Sequence, residues 1–209
     1  MKKSEMSYPL SLAIDYPDRD LNRSTTFLRM FMLIPIAIVL SLLGSGYNME
    51  GHDWQFEYSG AGFVLLPLLL LILFRQKYPR WWYDWNLAQA RFSTRVFAYS
   101  ALLRDEYPST DEEQSVHLDI VYPDAKEDLN RWLPLVKWLL AIPHYFVLIF
   151  LGIVSMVLII IAWFAILFTG RYPKEIFDFV VGVERWSLRV GACAFLRVTD
   201  KYPPFRLSE

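Results

Sequence analysis

The sequence predicts an all-α membrane protein: four transmembrane helices in two repeated hairpins, with a short strand before each hairpin and a cytoplasmic interfacial amphipathic helix after it. Three observations predict this. One apolar run is too long for a single crossing, the chain repeats itself, and the charged residues are kept out of the apolar runs.

The apolar run is Trp132 to Phe168, 37 residues in which Lys137 is the only charged side chain. As one helix it would reach about 55 Å at ~1.5 Å per residue, against a hydrocarbon core of ~30 Å. Two crossings joined by a tight turn fit that length, and Gly152, the only glycine in the run, is the expected turn. The whole chain is 55% hydrophobic and 17% aromatic, richer than an ordinary soluble domain, yet 21% of it is charged. A net charge of −1 offers no basic excess for nucleic acid. The single cysteine, Cys193, excludes an intrachain disulfide. Glu5, Asp15, Asp18 and Asp20 precede the first apolar run, which therefore reads as a retained anchor rather than a cleaved signal.

The repeat is read from paired words. Ile14-Asp15-Tyr16-Pro17-Asp18 is echoed by Ile120-Val121-Tyr122-Pro123-Asp124, and Leu21-Asn22-Arg23 by Leu129-Asn130-Arg131. At the offset of 108 set by the second pair, Arg29 matches Lys137, Pro35 matches Pro143 and Gly44 matches Gly152. At an offset of 94, Tyr78-Pro79 matches Tyr172-Pro173, Asp84 matches Asp178, and Arg91 to Arg95 matches Arg185 to Arg189. The units are 1–110 and 111–209, and the first holds 14 extra residues in the polar, glycine-rich loop 44–62.

Each unit opens on an alternating run, Leu10, Leu12, Ile14 and Tyr16 in the first and Val116, Leu118, Ile120 and Tyr122 in the second. Period two marks a strand with one buried face. A lone strand lacks a partner, so the two are expected to pair with each other or with a neighbouring chain; the alternative is an extended tether on the membrane surface. The expected spans are 27–43, 59–74, 132–151 and 155–168, with Pro35 and Pro143 as kinks. The expected interfacial helices are 85–103 and 179–198, with Asp84 and Asp178 as their N-caps. Glu184, Arg185 and Arg189 argue against a fifth span, since each charge costs roughly 2.5–3.5 kcal/mol at mid-membrane.

All 21 Lys and Arg residues lie outside 44–62 and 152–156. By the positive-inside rule both termini and both amphipathic helices belong in the cytoplasm, with the acidic loop outside. Arg29 and Lys137 are expected to snorkel outward. Seven of the twelve prolines follow a tyrosine, which marks helix ends at the headgroup level.

For chemistry, the chain shows no Walker loop, GxGxxG or GxSxG, and its three histidines are too scattered to suggest a metal site. No cofactor is expected. His144 is the intramembrane polar candidate, set against a bland reading as a neutral ring bonded to a carbonyl that Pro143 frees. Arg91, Arg95, Arg185 and Arg189, spaced four apart in each pair, could hold anionic headgroups or a partner, or merely solvate their helices or pair with Asp84, Asp105, Asp178 and Asp200.

The second unit, through Phe168–Pro173 (FTGRYP), Arg185–Val190 (RWSLRV) and Thr199–Phe205 (TDKYPPF), resembles a bacterial membrane family catalogued only as a domain of unknown function. The first unit resembles a diverged copy, with FRQKYP at Phe74–Pro79 and no double proline after Tyr107. The resemblance implies an inner-membrane protein and brings no activity or catalytic residues. The functional expectation is a non-enzymatic accessory protein binding membrane lipids or a partner membrane protein through its basic helices. The alternative is a small transporter, channel or lipid-moving protein working as a homo-oligomer.

Overall fold

The computed structural model describes residues 8–17, 20–44, 71–110, 112–125, 129–130, 132–196 and 198–208. Its elements are β1 (Leu10–Ile14), α1 (Arg23–Gly44), a π-helical turn (Leu71–Arg75), α2 (Arg80–Ser100), β2 (Val116–Ile120), α3 (Leu133–Leu140), α4 (Ile142–Thr169), α5 (Lys174–Gly191) and a second π-helical turn (Ala192–Leu196).

The two alternating runs pair with each other. β1 and β2 form an antiparallel ribbon with Leu10 opposite Ile120 and Ile14 opposite Val116. Leu10, Leu12 and Ile14 point to one face with Val116, Leu118 and Ile120, and all six are buried. A two-stranded ribbon is marginal by itself. Here it is held from below by α2, which packs on β2, and by α5, which packs on β1. Beneath that middle layer lie α1, against α2 and α4, and α4, along α5. The main core fills the space between ribbon and middle layer with Leu12, Leu118, Tyr83, Ala98, Val180 and Val181.

The helices start where proline allows. Pro79 and Pro173 are extended N-cap residues ahead of Arg80 and Lys174, and a proline's missing N–H is no loss in a first turn. Asp84 and Asp178 are thus each the fifth residue of a helix, not N-caps, and Asp84 makes only an exposed contact of 4.0 Å with Arg80. Asn22 caps α1, its Oδ1 accepting the Ser24 and Thr25 N–H groups, and Asn130 Oδ1 accepts the N–H of Trp132, the residue before α3. Gly170 ends α4 in the left-handed conformation, φ +79°, donating to Ile166 and accepting from the Leu21 N–H at 2.8 Å.

The four-span architecture is overturned. Among the described residues one helix, α4, is long and apolar enough to cross a membrane. The 37-residue run does not reverse at Gly152, which lies inside the unbroken α4 with nothing within 4 Å of a Cβ built on it. A glycine costs a helix only about 1 kcal/mol relative to alanine, too little to break 28 apolar residues. The run divides instead at Ala141, between α3 and α4, because Pro143 supplies no N–H to continue the first helix. The expected span 27–43 falls within α1, which continues through Pro35. The expected span 59–74 lies outside the described residues except for its last four, which belong to the first π-helical turn. The 44–62 loop lies outside them after Gly44.

The two amphipathic helices exist, shifted toward the N-terminus of the expected ranges. They form the middle layer, and α5 buries Phe177, Val180, Val181, Val183, Trp186, Arg189 and Val190 over a wide arc. Their four repeated arginines, Arg91, Arg95, Arg185 and Arg189, donate to the chain's own carbonyls.

Candidate functional site

The four arginines singled out by spacing all grip backbone. Arg91, on α2, donates through Nε to the Leu118 carbonyl of β2 at 2.9 Å and through a terminal nitrogen to Asp119 at 2.7 Å. Arg185, on α5, donates to the Leu12 carbonyl of β1 through Nε at 3.1 Å and a terminal nitrogen at 3.0 Å. Each helix therefore clasps the strand contributed by the other half of the chain. The next turn of each helix holds the segment that follows it. Arg95 reaches the Ser109 carbonyl at 2.7 Å, and Arg189, only 2% exposed, reaches that of Ser208 at 2.9 Å.

The tyrosines cross over in the same way. Tyr16 donates to the Tyr172 carbonyl, and Tyr122 donates to the Tyr78 carbonyl. Tyr78-Pro79 and Tyr172-Pro173 lead into α2 and α5, and both tyrosines are buried. Burial pushes the Tyr172 and Tyr8 hydroxyls well above the usual phenol range; for Tyr8 the Cys193 thiol adds to this and Arg189 opposes it.

Two buried ion pairs went unrecognised in the sequence. Arg29 and Lys137, expected to snorkel outward, are each 2% exposed. Arg29 pairs with Asp105 and donates to the carbonyls of Tyr99 and Arg104 at 3.0 and 3.1 Å. Lys137 pairs with Asp200 and donates to the Thr199 carbonyl at 2.8 Å. Asp105 and Asp200 also accept the N–H of Asn22 and Asn130, so each aspartate joins a helix start to the segment after the amphipathic helix. The signal was present: in both halves an Asn stands seven residues before the base, and the acid stands two residues before a Tyr.

His144 is fully buried in an aromatic cluster, stacked on Phe205 at 4.0 Å between centroids and beside Tyr202 at 4.8 Å. Its Nδ1 accepts from the Trp186 indole at 3.2 Å, so the proton of this neutral ring sits on Nε2. The partner is an indole, not a carbonyl freed by Pro143.

The remaining titrating groups lie apart from one another. Burial lifts the Glu184 carboxyl to about 7. Burial also acts upward on Glu106, but bonds from the Ser115 hydroxyl and Arg104 outweigh it and hold that carboxyl below its usual value. Burial raises the Cys193 thiol, opposed by Lys137 and reinforced by Asp200. Among the described residues no three His, Cys, Asp or Glu side chains stand close enough to hold a metal ion.

Three cavities accompany these groups. An open one of about 630 Å³ is apolar, between Leu10, Ile120, Leu148, Leu188 and Phe195. One of about 260 Å³ lies beside Arg29 between α1, α4 and the end of α2. The third, beside Lys137, Cys193 and Asp200, is about 30 Å³.

Residues 132–206 match the model of a family described as Domain of unknown function (DUF4389). The matched segment carries Lys137, His144, Arg185, Arg189 and Asp200. Comparisons with curated proteins and with solved structures gave no match.

Proposed function

We propose that this chain is a non-enzymatic, lipid-binding membrane protein, inserted through α4 and the neighbouring face of α1. The observation that carries this is the exposure of α4. Its most apolar window is only 11% buried, which favours a membrane helix over the mostly buried core helix of a water-soluble domain. Phe146, Phe150, Ile153, Met156, Ile160, Phe164 and Phe168 are all exposed along it, and α1 adds Phe27, Phe31, Ile34 and Ile38. A continuous surface of this kind is unstable in water and stable in hydrocarbon. The ribbon on the opposite side presents Ser11, His117 and Asp119 to water. Exposed Arg75, Lys77, Arg80, Arg171 and Lys174 would turn that polar side toward the cytoplasm, at the inner membrane if the source is bacterial.

The arginines enter this reading as clamps that hold the platform rigid, with lipid contact made by the apolar layer. We also infer that the chain is an internal duplication. The reciprocal bonds Arg91–Leu118 and Arg185–Leu12, and Tyr122–Tyr78 and Tyr16–Tyr172, support it, since two copies of one unit related by rotation would make each contact twice.

Alkaline carbonate washing of membranes followed by flotation tests insertion. The protein should stay with the membrane and need detergent for release. Release into the carbonate supernatant would refute the reading.

A further inference from the structure

We propose that the cavity beside Arg29 is a site for one acyl chain of a glycerolipid, with its ester carbonyl held by the Arg29 Nε–H. The inference rests on the membrane reading above and adds to it a defined site and ligand group.

The cavity, about 260 Å³, is lined by Phe27, Leu33, Leu102, Ile159, Ile160 and Trp163 together with the polar side chains of Thr26, Arg29 and Ser100. Phe27 and Ile160 are also part of the exposed apolar surface, so its rim is continuous with the surface that would meet hydrocarbon. Its size is just below the ~300–1,000 Å³ usual for compact organic ligands and suits one chain rather than a fused-ring molecule.

The polar lining has its donors committed, with one exception. Thr26 Oγ1 donates to Asn22, Ser100 Oγ to Phe97, and the Trp163 indole to the Thr26 carbonyl at 3.4 Å. Arg29 spends its terminal nitrogens on Tyr99, Arg104 and Asp105, while its buried Nε–H has no hydrogen-bond partner among the described residues. A buried donor left unmatched carries its full desolvation cost, so a ligand supplying one acceptor there is favoured. Asp105 already neutralises the guanidinium. The acceptor that fits is therefore an uncharged carbonyl, because an ionised carboxylate would also face Asp105.

The other half provides the contrast. Lys137 makes the same bonds to the residue before its aspartate and to the aspartate itself, but has no nitrogen corresponding to Nε, and the cavity beside it is only about 30 Å³. The unmatched N–H and the larger cavity thus occur together, on one side only.

The test uses the full chain in phosphatidylcholine nanodiscs doped with phosphatidylcholine bearing a photoreactive group in one acyl chain, with crosslinks mapped by mass spectrometry. A parallel arm uses the free photoreactive fatty acid. Wild type should crosslink at Leu33, Leu102, Ile159 or Trp163, and the ester should label more strongly than the acid. Ile159→Trp, which fills the cavity, should abolish this labelling. Arg29→Lys, which copies the Lys137 arrangement and keeps the ion pair, should weaken it about fivefold, the worth of one hydrogen bond. Unchanged labelling in both variants, stronger labelling by the fatty acid, or no cavity labelling of a wild-type protein that floats with membranes would each overturn the site. The last result would leave the membrane reading standing, whereas failure to float would remove that reading itself. Thermal unfolding of each variant within a few degrees of wild type separates lost binding from lost fold.

Discussion

Arg185 holds Leu12 by its backbone: two guanidinium nitrogens, at 3.1 and 3.0 Å, converge on one carbonyl oxygen 173 residues away. A third nitrogen takes the Leu207 carbonyl at 3.1 Å. One side chain thus ties the first strand and the C-terminal segment to α5. Arg185→Ala should lower unfolding free energy by about 3 kcal/mol, since bonds to charged donors are worth about 1.5–3 kcal/mol each. Arg91→Ala, at a site whose side chain is 43% exposed, should cost about 1 kcal/mol. Denaturant titration in a mild detergent compares them, and equal losses would contradict the asymmetry.

The Lys137–Asp200 pair predicts a strong non-additivity. Lys137→Met strands a carboxylate that is 19% exposed and should cost about 3–5 kcal/mol. Adding Asp200→Asn should recover part of that loss, because the asparagine oxygen still accepts the Asn130 N–H. A double-mutant cycle on unfolding free energy measures the coupling; simple additivity would mean the pair does not interact.

Glu184 predicts a stability that falls as pH rises. Its carboxyl titrates near 4.5 when unfolded and at about 7 when folded. Between those values the native state binds the extra proton, so stability drops from pH 4.5 to about 7 and is level above it. At ~1.4 kcal/mol per pKa unit, the upper bound on the loss is about 3–4 kcal/mol, reduced by the partial exposure of the residue. Glu184→Gln should raise the melting temperature at pH 8 and leave it nearly unchanged at pH 4. A Gln variant with the wild-type pH profile would rule Glu184 out as the source.

Two glycines should respond in opposite directions. Gly152→Ala should stabilise α4 by roughly 0.5–1 kcal/mol, since the added methyl meets nothing within 4 Å. Gly182→Ala should destabilise by about 1–3 kcal/mol, because its Cβ would stand 2.9 Å from Leu207 Cβ, where no flexible side-chain end can yield. Thermal shift distinguishes them. A loss at Gly152 would return that residue to the turn its sequence context predicts.

The strands were legible because their signal is local: alternation over five residues fixes which side chains are buried. Of the partners left open, each other or a neighbouring chain, the two strands take each other. The break in the long apolar run was not. Glycine and proline both punctuate sequence, and choosing between Gly152 and Pro143 depended on the N–H that proline lacks. The arginine faces were legible but their partners were not. A backbone carbonyl is present at every residue, so Leu12, Leu118 and Ser208 carry no mark of the guanidinium they accept. Asp105 and Asp200 were readable as partners for the repeated arginines, but their pairing with Arg29 and Lys137 was hidden, because nothing local tells a buried pair from two solvated charges. The pairs became recognisable once the ribbon had brought the halves together.

The crossed clasps, Arg91 on Leu118 and Arg185 on Leu12, tie the fate of each end of the polypeptide to the other. Freeing either strand strips the opposite helix of its cover, so neither half can come apart while its counterpart stays intact. Melting should therefore register as a single event at both ends of the chain. A proteolytic nick in the connector near residue 112 should leave two fragments that travel together until denaturant separates them.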